Sequence, residues 1–368
     1  MFVTLLVLAC TGESDKGTAR DSAETGDSGE PAMVSSALGM GEGALDPESV
    51  IWTPILGEDD DLSDPRDLGF DASGSLWIAN RDDDRTFIVF DPGTDAQTYD
   101  RRKDGYAQHF MEETAAFSFD DEAQFGSCGE SENTYNDRAE ANDFMGPVLW
   151  STDLDIFAEQ NPEGLGSHLD MQHESPLCVG IAWETANVYW VFDGMNSTIV
   201  RSDFNEDHDI GQDDHSDGIV YRLVEPEVER VEEAPGHMMI DPATGLLYVA
   251  DTGNGRVIRL DTASGERGDD LRTRMEDLDD YAEWVDVSWT TLVEGMDRPG
   301  GLALDAERLY VGEWGTGIIH VFDLDGNPLQ TLDTDLGEGA LYGIEIGPDG
   351  ALWVAEIATP GVYRIDPA

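Results

Sequence analysis

The sequence predicts an all-β chain, folded as a six-bladed β-propeller of four-stranded antiparallel blades. Three observations predict it. A unit of three short apolar runs, split by turns rich in Gly, Pro, Asp and Asn, recurs along the chain. Six copies of its first strand are visible, ending near Phe70, Phe119, Ile181, Ile240, Leu304 and Ile346. The last copy stops at Ala368 without a fourth strand, while Val50–Leu56 (VIWTPIL) precedes the first copy as a strand with no unit of its own. Joining the two completes the sixth blade and closes the ring. A lone four-stranded meander exposes both faces, whereas radial stacking buries them against neighbours and leaves only short edges.

Taken in order, the chain opens on the apolar run Phe2–Ala9, which ends at Cys10 and is followed by the polar TGESDKGT. Val7-Leu8-Ala9-Cys10 resembles a bacterial lipobox, with a small residue before the cysteine. That resemblance implies a signal peptide over residues 1–9 and diacylation of Cys10 as the mature N-terminus. It also implies an exported bacterial lipoprotein, anchored at the outer membrane or cell surface and touching membrane only through the lipid. Residues 10–48 are rich in Ser, Gly, Thr, Asp and Glu, which predicts an acidic disordered tether. The propeller is expected over residues 49–368. No later stretch approaches the roughly 20 apolar residues of a membrane span.

The first repeat is Pro65–Pro92 (PRDLGFDASGSLWIANRDDDRTFIVFDP). The second is degenerate, with Thr114–Asp120, Gln124–Cys128 and, after a long insertion, Gly146–Phe157. The third runs over Pro176–Phe204, the fourth over Gly236–Asp261, the fifth over Pro299–Asp323 and the sixth over Leu341–Pro367. Each has strands a, b and c. A weaker strand d follows at Ala96–Arg101 in the first blade and Pro328–Leu332 in the fifth. The repeats resemble the NHL-repeat family, most closely in Leu247–Asp261 (LYVADTGNGRVIRLD), and the likeness covers Pro65–Pro367. It implies the propeller fold and leaves function open, since one fold hosts many activities.

With 79 acidic and 20 basic residues the formal net charge is −59. Such a field repels phosphate backbones and excludes nucleic acid as a partner, while it favours cations and cationic partners. It also suits a solvated surface in salty surroundings.

Propeller topology sorts the polar residues by face. The starts of the a strands line one end of the channel and carry Asp67, Ala116, Cys178, His237, Gly301 and Gly343. The b strands end at that same face on Asn80, Cys128, Asp193, Asp251, Glu313 and Glu356. These side chains either cap the following turns or form a ring of calcium ligands, with Asp67, Asn80 and Glu356 at the channel mouth. Cys128 and Cys178 fall on neighbouring blades at this face. In an oxidising compartment they form a disulfide; otherwise they remain thiols, or Cys178 is a metal ligand. His168, Asp170 and His173 lie in a loop before the third blade and, with His237 of the fourth, form a zinc-type donor set. Asp203, Asn205, Asp207 and Asp209 alternate in a loop at the opposite face and offer a second, calcium-type set. His208 and His215 share that loop and are expected to lie apart from His168 and His173, unless the loop folds over the rim. The peptide α-amidating lyases, which hold zinc with histidines at several a-strand starts, are matched by His237 alone. Gluconolactonase-like propellers use Glu, Asn and Asp for calcium in the channel, as Asp67, Asn80 and Glu356 could.

The expectation is therefore a monomeric propeller that binds a ligand or protein partner on the a-start face, with calcium or zinc as the metal. A metal-dependent hydrolase or lyase at the channel mouth is the alternative.

Overall fold

A computed structural model describes residues 36–39, 42–131, 133, 142–273 and 276–368. The proposed signal peptide, Cys10 and the first part of the tether lie outside these residues. The described chain is almost entirely β, in six small sheets that form the six blades of the expected propeller. No helix among the described residues is long and apolar enough to cross a membrane.

The first blade is Pro65–Phe70, Leu76–Asn80, Arg85–Phe90 and Thr98–Arg102. The second is Thr114–Phe119, Gln124–Gly129, Val148–Ser151 and a two-residue outer strand, Asp170–Met171. The third is Cys178–Thr185, Val188–Asp193, Thr198–Asp203 and Ile219–Leu223. The fourth comprises Met238–Asp241, Leu246–Asp251, Arg256–Asp261 and Trp289–Glu294. The fifth is Pro299–Leu304, Arg308–Glu313, Ile318–Asp323 and Pro328–Asp333. The sixth is Leu341–Ile346, Leu352–Glu356 and Gly361–Pro367, completed by Val50–Gly57 from the other end of the chain. Val50 pairs with Pro367 and Gly57 with Gly361, so the ring closes as the sequence predicts.

The b strands are apolar without a break because each of their two faces meets a different neighbour. In the first blade Leu76 and Ile78 point to the sixth, and Trp77 and Ala79 to the second. The same alternation holds around the ring. Among the described residues the buried apolar side chains fall into six clusters, one at each blade boundary. Period-two side chains with both faces buried give this continuous apolar pattern.

Two additions extend the sheets. Gly43–Leu45, inside the stretch expected to be a tether, pairs in parallel with Gln330–Leu332 on the outside of the fifth blade. Ala37 and Leu38 are buried there, beside Tyr310. The tether expectation thus fails near its C-terminal end, where a few apolar residues find an unpaired edge. Between strands c and d of the fourth blade, a hairpin of Glu266–Asp270 and Asp280–Val285 crosses to the third blade and pairs in parallel with Ile219–Leu223.

Candidate metal centre

The a-start end of the channel is closed by polar side chains. The Arg66 guanidinium donates to the Glu233 carbonyl at 2.9 Å and to the Tyr342 hydroxyl at 2.7 Å. It also lies over the Tyr342 ring, 4.5 Å from the centroid. The Glu233 amide donates to the Glu130 carboxylate at 2.9 Å, and that carboxylate pairs with Arg230. The connection between the third and fourth blades therefore spans the axis to residues of the first, second and sixth. Beneath it Asp67 and His237 meet as a buried pair, Oδ1 to Nδ1 at 3.5 Å. Asp67 Oδ2 accepts the Phe117 amide at 2.8 Å. Burial pushes the Asp67 carboxyl up, against the pull of His237.

A cavity of about 580 Å³ opens at the opposite end, among the exposed turn residues Ala72, Ser73 and Pro348. Phe70, Phe117, Phe119 and Met239 line it, as does Glu345. Burial, and then the negative charge of Asp67, push the Glu345 carboxyl up to about 8. The axial cavity is thus at the end away from the a-strand starts, because the Glu233 connection fills the expected mouth.

The b-strand ends serve the turns. Asn80 Oδ1 accepts the amides of Ser63 and Asp64, and Glu356 Oε1 accepts that of Thr359. Asp193 and Asp251 cap neighbouring backbone amides in the same way. Asp67, Asn80 and Glu356, expected together at the channel mouth, are thus each hydrogen-bonded within their own surroundings. Cys128 and Cys178 form a disulfide, as expected from their adjacent positions, with Cα atoms 5.7 Å apart.

The histidines gather elsewhere, at the outer edge between the second and third blades. His168 and Asp170 belong to the last turn and outer strand of the second blade, and His173 follows them. This strand has only two residues, so its edge is covered by the loop 204–218 from strand c of the third blade. Gly211 anchors that loop: its amide donates to the His168 carbonyl at 2.9 Å. A Cβ at Gly211 would lie 2.2 Å from Asn161 Nδ2 and 2.4 Å from the Gly166 carbonyl, and its φ of +66° favours glycine. The close docking brings His208 and His215 to His168 and Asp170, contrary to the expectation that they lie apart. His237 is left out, held in the channel by Asp67.

Asp170, His208 and His215 each present a ligand atom within 4.8 Å of the others, and they are the one such group of three or more His, Cys, Asp or Glu among the described residues. Asp203, Asp207 and Asp209 do not converge in this way; their loop contributes its histidines instead. The His168 ring stands perpendicular to that of His208, with centroids 4.9 Å apart. The His173 ring lies 5.8 Å from that of His215.

Each of the four imidazoles has Nδ1 engaged by an oxygen. His168 Nδ1 is 3.0 Å from the Leu165 carbonyl, and His208 Nδ1 is 2.9 Å from that of Asp209. His173 Nδ1 is 2.6 Å from Glu276 Oε2, and His215 Nδ1 is 2.8 Å from Asp170 Oδ1. The Nε2 atoms of His168, His173 and His208 are buried and make no well-formed hydrogen bond; the Gln212 backbone lies near His168. An oxygen on Nδ1 fixes the ring and its tautomer and leaves Nε2 as the donor to a metal. Burial, reinforced by His208, lowers His168 to about 3, so its imidazole is neutral near neutral pH. Burial works to lower His215, but the hydrogen bond and charge of Asp170 outweigh it and raise the group. His109, on the one-turn helix Ala107–Phe110, completes the cluster and is lowered to about 4 by burial and by the neighbouring His173.

Two of these residues escaped the sequence reading. Glu345 follows Gly343 by two places on a strand whose alternate side chains face the channel, and that alternation was the signal. His109 stands in a connection between blades, where no repeat register assigns a face.

No family model matches this chain, and no curated protein matches it. Solved structures do. A protein of unknown function from Bacteroides thetaiotaomicron VPI-5482 aligns with a TM-score of 0.51 at 12% identity, over 86% of this chain and 75% of that one. An auxiliary nutrient binding protein from the same organism aligns at 0.51 and 10%, over 83% and 69%. A virginiamycin B lyase from Staphylococcus aureus aligns at 0.48 and 11%, over 86% and 99%. At these identities the likeness bears on the fold alone, and the chain is a β-propeller.

Proposed function

We propose that this chain is an exported NHL-type propeller whose functional centre is a transition-metal site at the rim, between its second and third blades. The observation that carries the reading is the set of imidazoles with Nδ1 committed to oxygen and a buried Nε2 left over. Asp170, His208 and His215 are the ligands, which leaves a fourth position open, and the His168 ring stands beside that of His208. Nitrogen-rich donors of this kind select zinc or a neighbouring transition metal over calcium, which takes six to eight oxygens. In a tetrahedral zinc site the ligand atoms stand about 3.3 Å apart. Asp170 Oδ1 holds His215 Nδ1 at 2.8 Å, which orients that ring toward the site. The remaining contacts, now up to 4.8 Å apart, close by small side-chain rotations. Two neutral imidazoles and one carboxylate leave a dication with one net positive charge, which the −59 field stabilises.

Metal analysis of the purified full chain tests this, with thermal unfolding before and after chelation. About one zinc-type ion per chain is expected, with a lower melting temperature after chelation. The double variant His208→Ala, His215→Ala should bind none. Metal-free protein that takes up no zinc, and whose melting ignores chelator, would sink the reading.

Export is supported separately, by the lipobox-like Val7–Cys10 and by a disulfide that belongs in an oxidising compartment. Mass spectrometry of the mature protein should find a diacylated Cys10 at the N-terminus; an unmodified Cys10 would reject the anchor.

A further inference from the structure

Resting on the metal reading above, we infer that the small cavity beside the histidines binds a neutral phenol, whose oxygen completes the metal's coordination. Structural metal sites are closed by protein ligands, whereas sites that exchange ligands keep an open position beside a pocket. Here a cavity of about 240 Å³ adjoins the cluster, and His173 and His215 are themselves part of its lining. Neither wall nor floor is generic surface. Tyr106, Phe110, Phe144 and Met171 give it an aromatic and thioether face. Phe144 stacks on His173 with centroids 4.0 Å apart, and Phe110 stacks on His168 at 3.8 Å.

The volume limits the occupant. An apolar cavity of about 150 Å³ takes a benzene ring. The cavity here therefore admits one ring with a small substituent and excludes peptides and oligosaccharides.

His173 sets the polar end. Its Nδ1 donates to Glu276 Oε2, and its backbone amide donates to Glu276 Oε1 at 2.7 Å. Nε2 is then an acceptor, 4% exposure leaves its residue buried, and among the described residues no group donates to it. A buried acceptor without a donor is costly unless a ligand supplies one. The occupant must therefore carry an O–H or N–H. The ring of His215 stands edge-on to that of His173, with centroids 5.8 Å apart, and both line the cavity, so an atom that donates to His173 Nε2 lies beside the metal's ligand shell. A hydroxyl fills both roles, giving its proton to a hydrogen bond and its lone pair to the metal. An amine or amide nitrogen does so less well, since its lone pair is either protonated or delocalised.

Charge argues for the neutral class. A carboxylate would face Asp213 in the lining, Asp170 and Glu276 behind it, and the field of the whole chain. An ammonium would face the metal.

Cobalt(II) is the probe, because its visible bands report coordination directly. The full chain is loaded with cobalt and titrated with 4-methylphenol, benzoate and benzylamine. Saturable change in the cobalt bands with 4-methylphenol is expected, with affinity at least tenfold above the two charged analogues. Phe144→Trp, which fills the cavity, should abolish that change while cobalt stoichiometry stays the same. His173→Phe should weaken 4-methylphenol at least tenfold and likewise retain cobalt. Cobalt bound with bands that 4-methylphenol does not move would overturn the inference and leave the metal site standing. Preference for benzoate would overturn the neutral class. A chain that binds no cobalt removes both the metal site and the inference.

Discussion

A histidine with Nδ1 tied to an oxygen has one nitrogen left to offer, and burying that nitrogen unsatisfied works against the fold. His168, His173 and His208 repeat the arrangement in a single cluster, which separates them from His237, whose two nitrogens both face protein oxygens. The residue types were legible in the sequence; the grouping was not, because it depends on a loop docking across a blade boundary. The same limit applies to Glu345, visible only through strand alternation. Its carboxyl stands at about 8 against an ordinary value of 4.5. The fold favours the uncharged form, so this group's contribution to stability is complete below about pH 4.5 and is lost as pH rises through about 8. Glu345→Gln removes the titration. Its melting temperature should match the parent at about pH 5 and exceed it by several degrees at about pH 9. Parallel melting curves across that range would refute the burial argument.

At the scale of elements, repeat register told most of the story. Apolar runs buried on both faces by different neighbours cannot be confused with half-exposed strands, so the six blades and the closing strand Val50–Gly57 were readable. The hairpin that leaves the fourth blade to join the third was not, since its alternation would serve either sheet equally well. Nor was the parallel strand Gly43–Leu45, too short and too polar in context to stand out. The disulfide bridges the second and third blades and closes a segment that contains the long insertion of the second blade. Closing a 50-residue loop by a cross-link is worth about 4 kcal/mol in the chain-entropy model. Reduction under native conditions should therefore lower the melting temperature by several degrees, read by thermal unfolding with and without reductant. An unchanged melting temperature would mean that the insertion already constrains the two blades.

For the molecule as a whole, the ring explains why a functional centre sits where it does. The channel is closed at one end by Arg66, Tyr342 and the Glu233 connection, and at the other it holds an acid-lined cavity. The rim is where loops from different blades meet freely, and there the chain places five of its seven histidines: His109, His168, His173, His208 and His215. The acidic surface surrounds this group with a potential that draws in cations and turns away anions.

The closing strand has a consequence in time. Val50–Gly57 is made before any of the six repeats, yet its partner Gly361–Pro367 follows every other strand of the propeller. Until Leu341–Pro367 appears, the sixth blade lacks strands a, b and c, and the first and fifth blades each keep an uncovered face. The ring cannot lock before that segment is made, and its longest-range pairing carries the largest loop-closure entropy. A chain held open in this way remains threadable until Gly361–Pro367 has been made, and the arrival of that strand becomes the event that commits the propeller to a closed ring.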